Sequence, residues 1–213
     1  MIAPTADPAV SHPSQPAANR LIPAHLRRIV LTGFMGAGKT TVGRLLAGRL
    51  GWEFLDLDAC IESRAGLTVP SIFAAHGEAH FRQLESQALA ASLGRSNVVL
   101  ALGGGAPESL TNRLLIEQTP ATATVFLDAP FATLIDRCVT QSVDAKSIAP
   151  PAQARPVLAD PASAEARFLA RQPIYRRLAH YTISTASLTT GETVAALLTR
   201  LQTTPPVRSN SRH

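Results

Sequence analysis

An α/β fold, in which a parallel sheet lies between two layers of helices, is what this amino-acid sequence predicts. Three observations carry the prediction. Five short apolar runs recur along the chain, at residues 28–32, 53–57, 97–102, 123–127 and 181–185. Stretches with helical spacing of apolar residues separate them. The alternation requires right-handed crossovers, which give a parallel sheet covered on both faces. Ligands of such sheets collect at the carboxyl ends of the strands.

The elements follow in order. Residues 28–32 make the first strand, around the run Ile29, Val30 and Leu31. A helix is expected through Val42, Leu45, Leu46 and Leu50, an i, i+3, i+4, i+8 stripe, stopping at Gly51. The second strand spans 53–57, and a second helical region follows Asp58. Thr68 is placed as N-cap of a turn through Pro70 and Phe73. A longer helix runs through Phe81, Leu84, Ala88 and Leu89 and ends before Gly94. After the strand at 97–102, helices are expected beyond Pro107, Pro130 and Pro161, and a last one at 192–201. The segment 141–163 breaks this rhythm, being rich in Ala and Pro with little periodicity. A loop of that length inside a domain is functional or disordered, and its place between two helices predicts a mobile flap, a lid over about residues 138–160.

Bulk properties narrow the function. A chain of 213 residues builds one domain with a sizeable core, or two small ones. One domain over 26–202 is expected, with disordered tails at 1–25 and 203–213, where Pro, Ala and polar residues lack apolar periodicity. The first 25 residues have no charged start followed by an apolar region, which argues against a secretory signal; their sparse acidic residues fit an organellar transit peptide, while their sparse Arg counts against one. No apolar run approaches the roughly 20 residues of a membrane span. The net charge of +5 invites a nucleic-acid reading, yet the arginines are scattered and aromatics make up only 5%, poor for base stacking. A small anionic substrate explains the charge with fewer assumptions. Cys60 and Cys138 lie far apart without a C-x-x-C partner, so reduced thiols in a cytoplasmic protein are expected rather than a disulfide or zinc site.

One stretch points to phosphate chemistry. Residues 33–40, GFMGAGKT, fit G-x-x-x-x-G-K-[ST] between a predicted strand and a predicted helix. Glycines let the backbone turn several N–H groups inward as a nest for phosphate oxygens, and the positive end of the helix adds to the field. Lys39 is one of only two lysines in the chain, the other being Lys146. Its compact ammonium suits the β- and γ-phosphates better than the broad fork of an arginine. Thr40 supplies a hydroxyl for Mg²⁺. The site is that of a nucleoside triphosphate.

Candidates for the acceptor side lie further along. Asp56 and Asp58 close the second strand in FLDLD, from which a metal-side carboxylate and an acceptor-side base can be drawn, although such a pair also caps helices. Arg82 falls in the helical stretch GEAHFRQLE. His76 and His80 in that region resemble a metal pair, but Gly77 stands where a zinc protease carries Glu, so the likeness is accidental. Gly103, Gly104 and Gly105 leave bare backbone after the third strand, which is either a ligand approach or an ordinary loop.

Together these motifs resemble the shikimate kinase family. The resemblance covers about residues 27–201 and rests on GFMGAGKTTVGRLLA, FLDLD, IE, GEAHFRQLE, ALGGGA, ARPVL and RQPIY in this order. It implies a three-layer P-loop NTPase fold, like that of the nucleoside monophosphate kinases, with a five-stranded parallel sheet and a mobile lid. It also implies transfer of the ATP γ-phosphoryl group to the 3-hydroxyl of shikimate, toward aromatic amino acids. Carried over by residue, it assigns Gly36, Ala37, Gly38, Lys39, Thr40 and Thr41 to the ATP phosphates, with Thr40 and Asp56 at Mg²⁺. Asp58 becomes base and hydroxyl ligand, Arg82 and Arg171 grip the substrate carboxylate, and Gly103 to Gly105 meet the ring hydroxyls. Lys39 and Arg155 join Asp58 as catalytic groups, with Arg155 swinging from the lid onto the phosphates. A monomer binding shikimate and ATP, with no nucleic acid or membrane partner, is expected.

The chain departs from the family between Arg137 and Arg155, which is longer than usual, and between Arg155 and Arg171, which is shorter. TISTASLTTGE lacks the arginine that some members place near adenine. A gluconate-type sugar-acid kinase, a nucleoside monophosphate kinase and a non-catalytic sensing domain are the alternative readings.

Overall fold

The computed structural model describes residues 21–146 and 160–203. Strands β1 (Arg28–Thr32), β2 (Glu53–Asp56), β3 (Val98–Ala101), β4 (Thr122–Asp128) and β5 (Tyr181–Ser184) form one sheet in the order β2-β3-β1-β4-β5. Every pairing is parallel. The helices are α1 (Lys39–Leu50), α2 (Leu57–Ala65), α3 (Val69–Leu93), α4 (Leu110–Gln118), α5 (Phe131–Lys146), α6 (Pro161–Leu178) and α7 (Thr190–Thr203), and a short 3₁₀ turn spans Ala106–Glu108.

β1 takes the centre because both of its faces are apolar. Ile29 and Leu31 point into one core with Leu46 and Leu50 of α1 and Leu197 and Leu201 of α7. Val30 points the other way, onto Leu57, Ile61, Ile72, Leu89 and Ile116 from the helices of the opposite layer. Period-2 alternation thus divides one strand between two cores. Each such buried aliphatic side chain contributes about 1.5–3 kcal/mol relative to exposure. Because α1, which follows β1, covers one face while α4, which follows β3, packs with α2 and α3 on the other, the loops after β1 and β3 part in opposite directions. A crevice opens between them at the carboxyl edge.

Several boundaries differ from expectation. β2 ends at Asp56 instead of residue 57, since Asp56 accepts a hydrogen bond from the Asp58 amide (3.2 Å) and caps α2, whose first residue Leu57 is buried. The turn near Pro70 and the helix through Phe81 are one stretch, α3, broken only at Gly77, where φ 77° and ψ 175° leave the helical region. Thr68 caps it as expected, accepting from the Ser71 amide. Residues 21–25, read as part of a loose tail, are placed: Ile22 is buried in the first core, and Gln202 Nε2 donates to the Leu21 carbonyl (3.1 Å). Residues 138–146, read as the start of a lid, continue α5, which is helical to Lys146. Residues 147–159, and Arg155 with them, lie outside the described residues, as do the tails at 1–20 and 204–213.

Candidate active site

The phosphate loop is built by constraint at its glycines. Gly36 has φ 75°, and a Cβ there would fall 2.3 Å from the Leu134 carbonyl oxygen. Gly38 is the left-handed N-cap of α1 (φ 85°) and offers no side-chain cap. The first amides of α1 therefore lack an intrahelical acceptor and lie at the positive end of its dipole. Lys39 folds back over the loop, its Nζ donating to the carbonyls of Gly33 (2.8 Å) and Phe34 (3.0 Å). Ala37 is buried in the core and can serve only through its backbone.

β2 delivers two carboxylates to the same place. Thr40 Oγ1 donates to Asp56 Oδ2 at 2.9 Å, joining the loop to the strand end. The other Asp56 oxygen caps α2 and so aims Asp58 into the crevice from the first turn of that helix. Desolvation holds the Asp58 carboxyl above the usual carboxylate range, with the Asp56 charge pushing the same way and Lys39 pulling against it. The donor set of one hydroxyl and one carboxylate fits a cation such as Mg²⁺ that keeps several waters and shares phosphate oxygens. Among the described residues no cluster of three or more His, Cys, Asp or Glu forms a metal cage, His76 and His80 included.

Two glycines of the triplet, Gly103 and Gly105, answer to space. A Cβ on Gly103 would lie 2.7 Å from Asp58 Oδ1; one on Gly104, 3.7 Å from Arg171 Nη1 and Tyr175 Oη; one on Gly105, 2.9 Å from both terminal nitrogens of Arg82. Each glycine lies against a different functional side chain. The triplet is the floor that Asp58, Arg82 and Arg171 all approach.

Arg82 is caged on α3 by Glu78 (3.0 Å) and by the buried Glu85 (2.9 Å). Asn112 steadies Glu85 from behind, its Nδ2 lying 3.5 Å from Glu85 Oε2 and 2.9 Å from the Ala106 carbonyl. Arg171 reaches from α6 to Glu108 at 2.9 Å, and Arg82 approaches the same carboxylate at 4.0 Å. The buried Nε of Arg171 has no partner. Tyr175, one helical turn on, donates from Oη to the Gly104 carbonyl (2.6 Å) and so ties α6 to the glycine floor.

A cavity of about 490 Å³ joins these parts. Gly36, Gly38, Lys39, Thr40 and Thr41 line one end, Asp56 and Asp58 the middle, and Gly103, Gly104, Gly105 and Arg171 the other. Arg82 stands just behind Gly105 and is not part of this lining. Sequence reasoning missed Glu108, for which an acid after GGGAP carries no signal of its own. It also missed Tyr175 and Glu85, although RQPIY and GEAHFRQLE contain them.

A phosphate loop facing, across two aspartates, a pocket walled by arginine defines a P-loop kinase of a small anionic acceptor. Comparison with known proteins narrows this class: the sequence profile of shikimate kinase matches residues 35–202. The chain is 40% identical over 177 residues to shikimate kinase of Symbiobacterium thermophilum, covering 82% of this chain and 95% of the relative. It is 38% identical over 177 residues to that of Neisseria gonorrhoeae, with the same coverage. A solved shikimate kinase from Acinetobacter baumannii in complex with shikimate superposes with a TM-score of 0.71 at 35% identity, covering 86% of this chain and 96% of that one. A gluconokinase from Sinorhizobium meliloti shares the fold alone, with a TM-score of 0.53 at 18% identity over 82% of this chain and 91% of that one. The chain belongs to the shikimate kinase family.

Proposed function

We propose that this protein transfers the γ-phosphoryl group of ATP to the 3-hydroxyl of shikimate, giving shikimate 3-phosphate and ADP on the route to aromatic amino acids. The observation that carries the reading is the placement of Asp58. It lies in one cavity between the phosphate loop and the arginine wall, with its pKa raised toward that of a useful base. The loop amides and Lys39 bind the ATP phosphates, Lys39 exchanging its two carbonyl acceptors for phosphate oxygens. Arg171 and Arg82 hold the acceptor carboxylate, and the backbone of Gly103 to Gly105 receives the ring. Asp58 takes the proton of the acceptor hydroxyl as its oxygen bonds to the γ-phosphorus, and the bond from that phosphorus to the bridging oxygen breaks to release ADP.

Thr40 and Asp56 would hold Mg²⁺, which would supply positive charge to offset that of the phosphates. Arg155, outside the described residues, would close from the lid onto the transferring group and help to exclude water. A cytoplasmic monomer is the expected form; no helix among the described residues is long and apolar enough to cross a membrane. An ADP-release assay with shikimate, gluconate and AMP as acceptors tests the reading. Turnover is expected with shikimate alone, and preference for either of the others would refute it.

A further inference from the structure

Two guanidinium groups and three carboxylates meet around Gly105: Arg82 and Arg171 against Glu78, Glu85 and Glu108. With two cations set against three anions, the cluster is negative by one charge before any acceptor arrives. A carboxylate entering this pocket finds Arg171 Nη2 already taken by Glu108, with the buried Nε of the same guanidinium unpartnered beside it. The three acids differ in their freedom to yield. Glu85 is 1% exposed and bound by Arg82 and Asn112, so moving it would strand a buried charge. Glu78 grips Arg82 from its own helix, one turn before it, on the solvent side. Glu108 is 40% exposed, touches Arg171 through one oxygen and stands off from Arg82 at 4.0 Å. Its backbone is pinned, while its side chain is held by the one short contact to Arg171: the Glu108 amide donates to the Gly105 carbonyl (2.9 Å), and Arg113 Nη1 donates to the Glu108 carbonyl (2.8 Å).

We infer that Glu108 is a specificity-determining residue, an internal stand-in for the acceptor carboxylate that occupies the arginine pair until the acceptor displaces it. The inference rests on the assignment of that pair to the carboxylate. Displacement sets a threshold. A ring acid offsets the lost Arg171–Glu108 contact with its hydroxyl contacts to Asp58 and the glycine backbone, whereas a small inorganic anion has only its charge. Glu108 therefore lowers acceptor affinity and, in return, keeps simple anions off the two arginines.

Kinetics of the full-length Glu108→Gln variant, with sulfate as the probe anion, test this. The KM for shikimate is expected to fall by about fivefold, as for loss of a partly exposed competing ion pair, with the change in KM and not in kcat. Sulfate should become a competitive inhibitor against shikimate at roughly tenfold lower concentration than in the parent protein, and shikimate should bind more tightly by calorimetry without ATP. Glu108→Ala should move each quantity the same way. A raised KM, showing that Glu108 contacts the acceptor, or an unchanged sulfate inhibition constant would overturn the inference. The parallel Arg171→Ala variant separates the two levels. An unchanged shikimate KM there removes the carboxylate assignment itself, while a large rise there with no effect at Glu108 removes only the stand-in.

Discussion

Arg82 of α3 and Arg171 of α6 converge on one carboxylate, that of Glu108, at 4.0 and 2.9 Å. Two guanidinium groups from separate helices thus share a single anion position beside the glycine floor. An isolated surface arginine has no need of such company. The proposed function assigns this convergence to the acceptor carboxylate, and the first prediction tests that assignment.

Truncating Arg171 to alanine removes a charge-assisted contact worth about 1.5–3 kcal/mol. The KM for shikimate should rise by roughly 10- to 100-fold with little change in the KM for ATP. Steady-state kinetics with each substrate varied in turn decide it; equal weakening of both would assign Arg171 to the nucleotide.

Asp58→Asn should reduce turnover by at least about 10²-fold, the scale of a lost general base, while ATP still binds. The same change should raise the Tm at neutral pH. Asp58's pKa is raised in the folded state, so folding holds its proton longer, and stability falls as pH rises through the interval between unfolded and folded values. The asparagine escapes that loss, and its advantage should vanish below the ordinary carboxylate pKa. A melting temperature that does not rise at neutral pH would contradict the desolvation of this carboxyl.

Activity should share this titration. Asp58 accepts a proton only when ionised, so kcat/KM should decline as pH falls through a value above the usual carboxylate range. Asp56→Asn deletes the adjacent negative charge and should shift the residual acid limb to lower pH. A limb that stays in place would mean that another group controls it.

Gly103→Ala puts a methyl carbon 2.7 Å from Asp58 Oδ1 and must push that carboxylate aside. Turnover should drop by roughly 10²-fold, the cost of displacing a reacting group by about 1 Å. The circular dichroism of the fold should stay the same. Full activity would show that Asp58 works from another position.

For Arg155, replacement by alanine should lower kcat by a factor on the order of 10³, at the low end for arginines that stabilise phosphoryl transfer, and change acceptor binding far less. A kcat within twofold of the parent's would pass that role to another residue of the same segment.

Much of the architecture was legible because it depends on local pattern. The run Ile29 to Leu31, the buried stripe Val42, Leu46 and Leu50 on α1 (Leu45, predicted with them, is exposed) and the punctuation at Gly51 and Thr68 follow from side-chain periodicity and capping. Boundaries failed where one residue suited two elements. Leu57 is apolar enough to end a strand, yet Asp56 caps the helix that buries it. Segment 141–146 reads as irregular by composition and still continues α5. Among site residues, the phosphate loop declares itself because backbone geometry demands its glycines. Glu108 does not, because its significance arises only from two arginines on other helices.

What the sequence by itself determined is the strand–helix order, the phosphate loop and the residue types of the acceptor pocket, since periodicity, backbone torsion and charge act over a few residues. The tertiary structure alone decided who meets whom. It set Asp58 against Gly103 and Arg82 against Gly105, tied Tyr175 to Gly104, and closed both arginines on Glu108. Those meetings join residues that follow two strands, β2 and β3, to two distant helices. Only the packing of α3 and α6 over the carboxyl edge of the sheet brings these charges within a few ångströms of one another.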